Sequence, residues 1–202
     1  MRTAPLERQH AAVAGAILAR AFQQEPLSRY LVPAAAERAQ ALRAAFTGWV
    51  RSGRFVVDVC TDGDGEAMHG VAVWSAPTAW AAPTVAGAKD DAVPEEVRSW
   101  AAPAQQRFAT YFGYVRALHT HLMPVPHWYL ALLGVDPPQQ GHGYGSALLR
   151  SRLVQADEAG QPCYLETGTE RNVTLYTRHG FRVIESGIVP RTGVRYWALR
   201  RG

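Results

Sequence analysis

The sequence predicts a mixed α+β domain in three layers (α/β/α), with a twisted, mostly antiparallel sheet carrying helices on both faces. Three observations predict it. Residues 128–135, WYLALLGV, form a nearly unbroken apolar run of strand length, followed by a glycine-rich turn and a helical pattern, as expected of a strand buried on both faces. β-rich runs separated by turn signals lie on either side of that unit and give antiparallel pairs. Alanine-rich stretches near the start carry the composition of helices rather than strands.

Taken in order, residues 1–6 suit a short first strand and Glu7 to Phe22 a helix. Pro26 and Pro33 break the next segment, with Leu27, Tyr30 and Leu31 between them, and Glu37 to Ser52 reads as a second helix ended by Gly53. Arg54–Cys60 is β-rich. Thr61-Asp62-Gly63-Asp64-Gly65 then turns the chain into Met68–Trp74, which makes a hairpin. Pro77, Pro83 and Pro94 punctuate an excursion to Pro126 that is longer than a usual connection and helical from about Glu95 to His121. It reads as a lid rich in aromatic residues: Trp80, Trp100, Phe108, Tyr111 and Tyr114. After the central strand, Leu149, Leu153 and Ala156 recur at helical spacing until Gly160 and Pro162. Cys163–Thr167 is a strand and Asn172–His179 a short helix stopped by Gly180. Phe181–Ser186 and Val194–Leu199 close the chain as an antiparallel pair over a turn containing Pro190 and Gly193. One domain over residues 1–202, with a helical insertion around residues 77–126, is the expectation. A chain of this length buries roughly 70% of its unfolded surface without disulfides or metal.

The formal charge of +4 comes from scattered arginines, Lys89 being the only lysine, and no basic run marks a nucleic-acid partner. Cys60 and Cys163 suit packing positions on strands. With no apolar run of membrane length, the expectation is reduced thiols, a cytoplasmic location and no membrane partner. His119, His121 and His127 have no carboxylate or cysteine at ligand spacing, so hydrogen-bonded or solvated histidines are expected rather than a metal site. The oligomeric state stays open.

The chemistry centres on Gln140-Gly141-His142-Gly143-Tyr144-Gly145-Ser146. The first N–H groups of a helix have no internal partner and carry the positive end of its dipole, so a glycine turn opening a helix suits a pyrophosphate. A P-loop would close with Lys-Ser/Thr, whereas here Gly145 is followed by Ser146-Ala147-Leu148. A dinucleotide fold is the more serious rival, since Glu166 falls at a suitable distance for a ribose partner. Fewer than sixty residues follow the turn, too few for the remaining units of such a sheet.

Gln-x-x-Gly-x-Gly directly after a buried strand resembles the pyrophosphate signature of the GCN5-related N-acetyltransferases. The resemblance continues through Pro162–Thr167, Arg171-Asn172 and Leu175-Tyr176-Thr177-Arg178-His179-Gly180-Phe181. It covers residues 127–182 most fully. Residues 72–77, Ala-Val-Trp-Ser-Ala-Pro, and the stretch from Val189 to Leu199 are similar to the puromycin N-acetyltransferase branch.

The resemblance implies the fold of that superfamily, acetyl-coenzyme A as co-substrate, and transfer of acetyl to an amine. Gln140 to Ser146 would hold the pyrophosphate, with Asn172 contacting the coenzyme or fixing its loop. The backbones of Leu133 and Val135 would pair with the pantetheine arm as an added strand. Gly134 would mark a bulge or a close backbone approach that opens the strand edge. The amide of Leu132 or Leu133 would face the oxyanion. Tyr176 would protonate the leaving thiolate, and Glu166 would take the amine proton or hold the ammonium group. Phe22, Glu25, Tyr30 and Trp74 become acceptor contacts. Direct attack in a ternary complex on a small-molecule amine, such as an antibiotic or a biosynthetic intermediate, is the expected reaction. A peptide acceptor and a non-catalytic coenzyme-binding module are the alternatives.

Overall fold

The computed structural model describes residues 1–63, 67–79 and 94–202. Asp64 and Gly65 of the expected hairpin turn, and Trp80 and Pro83 of the excursion, lie outside the described residues. Seven strands form one mixed sheet: β1 (Arg2–Pro5), β2 (Val56–Thr61), β3 (Met68–Ser75), β4 (Trp128–Val135), β5 (Cys163–Thr167), β6 (Arg182–Ile188) and β7 (Arg195–Arg201). Their spatial order is β1-β2-β3-β4-β5-β7-β6, and every pairing is antiparallel except β4 with β5. That parallel pair needs a crossover, which the helix following the glycine turn supplies.

Two helices cover one face of β2–β4. α1 (Ala11–Phe22) and α3 (Ala35–Arg51) bury Ala14, Ile17 and Leu18 against Leu42, Phe46 and Val50, over Val57, Val59, Val71 and Val73. They cross at Gly15, where a Cβ atom would lie 2.2 Å from Thr47 Oγ1 and 2.8 Å from its backbone. The short helix α2 (Pro26–Leu31) between them begins on its proline, which fits the first turn because its missing N–H has no helical partner there. Buried Arg38 ties this corner together by donating to the carbonyls of Gln23, Val32 and Pro33.

The excursion contributes α4 (Ala102–Leu122), which carries Pro103 in its first turn and starts past Glu95; residues 95–97 form a separate 3-10 turn. α4 covers the same face as α1 and α3, but over the other end of the sheet. Tyr111 and Val115 pack on Val189, Val194 and Tyr196, and Met123 at its end packs on Tyr164 and Ala198. On the opposite face, α5 (Tyr144–Glu158) and α6 (Glu170–Thr177) pack Leu148, Leu149, Leu153 and Tyr176 on Ala72, Trp74, Leu130 and Leu165. A buried ion pair joins α5 to β2: Arg152 donates to both oxygens of Asp58, with its guanidinium 4.9 Å from the ring of Trp128. Among the described residues no helix is long and apolar enough to cross a membrane.

The register of β4 departs from expectation. Gly134 pairs regularly with Val71, and the irregularity lies at Ala131, between the pairs Leu130–Trp74 and Leu132–Val73. Gly134 is instead the point where α1 presses closest on the sheet. A Cβ there would meet Leu18 at 2.9 Å and Ala21 at 3.1 Å.

Candidate active site

Past the end of β4 the chain makes a 3-10 turn at Pro137–Gln139, then adopts left-handed backbone at Gly141 (φ 85°) and Gly143 (φ 88°) before entering α5. Non-glycine residues rarely adopt that conformation, so the two glycines let the chain reverse directly into a helix. The first internal bond of α5 runs from Ala147 N–H to the Gly143 carbonyl. The amides of Tyr144, Gly145 and Ser146 therefore precede the helical ladder and carry its positive end. Gln140 donates its side-chain amide to the Val135 carbonyl (3.2 Å), which ties the turn to β4, and Ser146 Oγ lies 3.0 Å from His179 Nε2. This geometry suits a diphosphate.

A cavity of about 1080 Å³ starts at this turn and passes through the sheet between β4 and β5. Those strands pair only at Trp128–Cys163 and Tyr129–Tyr164 and separate beyond. Hydrogen-bond parity shows what faces the opening. Asp136 N–H donates to the His69 carbonyl, so residues 132, 134 and 136 aim their backbone groups at β3, and Leu133 and Val135 aim theirs into the gap. Before the bulge the parity is reversed, since Trp128 N–H donates to Pro162 on the β5 side. The extra residue Ala131 exchanges the two sets. Leu132 therefore offers no amide to the gap, and of the two expected oxyanion donors only Leu133 is suitably turned.

Two residues beyond the last β4–β5 pair, Glu166 faces the bulge across the opening. Its carboxyl is pushed up to about 7 by burial, while the hydroxyls of Tyr129 and Tyr164 work in the opposite direction. Neither phenol closes a full bond on Glu166 Oε1, which is buried without a hydrogen-bond partner, as is Tyr164 Oη. On the α6 side Tyr176, buried, lines the cavity with Asn172, and burial followed by the charge of Glu25 raises its hydroxyl well above the usual range. Glu25 itself is raised by burial, against a bond to Asn172 and the charge of Arg171.

The cavity thus gathers Phe22, Glu25, Leu133, Val135, Gln140, Gly141, Gly143, Tyr144, Gly145, Ser146, Glu166, Asn172 and Tyr176. Three expected contacts fall elsewhere. Trp74 points to the opposite face of β3, fully buried beneath α5 with Leu130 and edge-on to Trp128, so it contributes core and no acceptor surface. Tyr30 is not part of the cavity lining and packs instead against the buried cluster of Tyr111, Val115, Val189, Val194 and Tyr196. His142 is exposed beyond the turn, with its ring near the Gln139 carbonyl.

Residues missed by the sequence reading also line the cavity. Leu42, Phe46 and Trp49 of α3 wall the end away from the glycine turn, beside Phe108 and Tyr111 of α4, which belong to the expected aromatic lid, while Arg171 of α6 and Arg178 just past its end line the α6 side. Tyr129 and Tyr164 had a readable signal, because Tyr164 precedes Glu166 by two residues and shares its strand face.

A sheet split beside a glycine-turned helix, with a carboxylate at the root of the split, defines the N-acetyltransferase class. The family model described as Acetyltransferase (GNAT) family matches residues 68–181, more than half of the chain, and the chain belongs to that family. A Corynebacterium glutamicum structure described as histone acetyltransferase and related acetyltransferase superposes with a TM-score of 0.67 at 22% identity, covering 98% of this chain and 94% of that one. Arylalkylamine N-acetyltransferase 2 of Aedes aegypti gives 0.65 at 12% identity, covering 99% and 97%. Both likenesses are of fold. A mycothiol acetyltransferase of Propionibacterium freudenreichii is 36% identical over 66 residues, 31% of this chain and 21% of that protein. The chain spans about a fifth of the length of the curated relatives it matches.

Proposed function

We propose that this enzyme transfers acetyl from acetyl-coenzyme A to the primary amine of a small molecule, by direct attack within a ternary complex. The observation that carries the reading is the continuous cavity. One end offers α5 amides and glycine turns, the middle offers the outward backbone of Leu133 and Val135, and the far end offers a carboxylate among aromatic walls. The fit to the coenzyme is chemical at each level: amides for diphosphate, a free strand edge for pantetheine amides, and Asn172 beside them. When bound, the coenzyme supplies the activated acyl group as a thioester.

Glu166 takes the proton of the amine. A carboxyl held near 7 is half ionised at neutral pH and basic enough for that transfer. Tyr176 keeps its proton at neutral pH and offers it where a thiolate would leave. The amide of Leu133, turned into the gap, is the donor for charge developing on the carbonyl oxygen. Cys60 and Cys163 are buried away from the cavity, which favours direct transfer over an acyl-enzyme. The walls formed by Phe22, Leu42, Phe46, Trp49 and Phe108 favour a compact acceptor with an apolar or aromatic body.

Thiol release from acetyl-coenzyme A should therefore be fastest with aromatic or apolar amines, aminonucleosides and other antibiotic amines among them. Polyamines and peptide N-termini serve as comparison at equal concentration. Preferred turnover of peptides, with none of small amines, would replace this reading by a peptide acetyltransferase. Coenzyme binding without turnover of any amine would leave a binding module.

A further inference from the structure

The histidines flanking the end of α4 contribute nothing to the cavity wall, yet they reach the carboxylate through one side chain. His127, 2% exposed, has Nδ1 2.6 Å from the Val125 carbonyl and Nε2 2.6 Å from Nε2 of His119. A carbonyl only accepts, so the proton of His127 sits on Nδ1 and its Nε2 accepts from His119 N–H. Burial holds both rings neutral, His119 near 4 with the help of His127, and His127 below its usual value. Fixed in this way, the His119 ring stacks on Tyr164 at 4.4 Å and 24°, with Tyr129 4.6 Å away on its flank.

Tyr164 is fully buried, and its hydroxyl is a donor without an acceptor. Two residues along the same strand face, Glu166 Oε1 is an acceptor without a donor. Buried groups left in that state are costly, and these two are complementary. We infer that Tyr164, clamped by the His119–His127 pair, is a positioning residue that donates its hydroxyl to Glu166 and holds it as the carboxylate that receives the acceptor's proton. The inference rests on the reading of Glu166 as base given above. It assigns α4 a second task beside walling the cavity, because α4 carries the stacked ring.

The other groups facing this pair are Tyr129 from β4, Tyr111 from α4 and Tyr196 from β7, with Arg200 acting on His127. All three phenols are raised and stay neutral, and His119 stays uncharged above pH 5. Glu25, also raised, lies on the cavity wall toward Asn172, so Glu166→Gln is the control that assigns the limb.

The test combines the pH profile of kcat/KM from 5 to 9 with the titration of the Glu166 carboxyl carbon by NMR in the unliganded protein. Wild type should rise through a midpoint near 7. In Tyr164→Phe, loss of a donor to a charged acceptor should raise both midpoints by about one unit. Activity at pH 6 then falls about tenfold and returns by pH 9. His119→Ala should move the limb the same way, and combining it with Tyr164→Phe should move it no further. An even loss at every pH, or a Glu166 carbon that titrates at an unchanged pH in Tyr164→Phe, overturns the inference. A wild-type limb that survives Glu166→Gln overturns the base reading instead, while the carbon titration still decides the Tyr164 bond.

Discussion

At the scale of single residues, the base role proposed for Glu166 trades stability for reactivity, and the sign of the trade is fixed by its pKa. A carboxyl at about 7 in the fold and near 4.5 unfolded binds its proton more tightly when folded. Its contribution is intact below pH 4.5 and is lost as pH rises through 7. Glu166→Gln should therefore raise the thermal midpoint at pH 8, by an amount on the order of 1–3 kcal/mol in stability, and leave it unchanged at pH 4. Melting curves at the two pH values check this. In the proposed reaction Tyr176 has the opposite task of keeping its proton until the thiolate leaves. Tyr176→Phe should lower kcat about a hundredfold and leave coenzyme affinity unchanged, as read by steady-state rates beside calorimetry. The sequence placed both at the cavity, Tyr176 through the family resemblance and Glu166 as the carboxylate on the strand beside the cleft. It could not orient Trp74. β3 is apolar on both faces, so its period-two pattern carries no direction, and only the packing of α5 decides which face Trp74 joins.

At the scale of elements, two helices depend on glycines for different reasons. α1 and α3 meet at Gly15 with no room for a methyl group. Gly15→Ala should destabilise the fold by about 1–3 kcal/mol through overpacking, despite alanine's better helix propensity, and denaturant unfolding reads the sign. α5 depends on Gly143 for its left-handed entry and its approach to anions. Gly143→Asp adds strain and negative charge at the helix start, and coenzyme binding in calorimetry should be abolished while the circular dichroism of the fold is kept. Strand positions were the most readable part of the chain: β4 and β5 lie where the apolar runs place them. The bulge was not readable. Gly134 advertised an irregularity that belongs to Ala131, because glycine marks the close passage of α1 as well as a bulge. The start of α4 moved for a related reason, since Pro103 fits a helix's first turn and Glu95 heads only a short 3-10 turn.

At the scale of the whole molecule, the α3 part of the aromatic wall, Leu42, Phe46 and Trp49, was illegible because periodicity marks those residues simply as buried, whereas Phe22 and the aromatic excursion with Phe108 and Tyr111 were expected there. The glycine-turn end was legible because one contiguous stretch builds it. Between the two lies a sheet held together at its centre by only two residue pairs, Trp128–Cys163 and Tyr129–Tyr164. Under the proposed reading the molecule is an unfinished sheet whose missing strand is the pantetheine arm of the coenzyme. Deuterium uptake should report its completion: the amides of Leu133 and Val135, which face the gap, should exchange quickly alone and slow markedly with saturating coenzyme. Amides aimed at β3, those of Leu132 and Gly134, should already be slow and change little. Equal protection of both sets would mean that the ligand tightens the protein as a whole instead of lying along the seam.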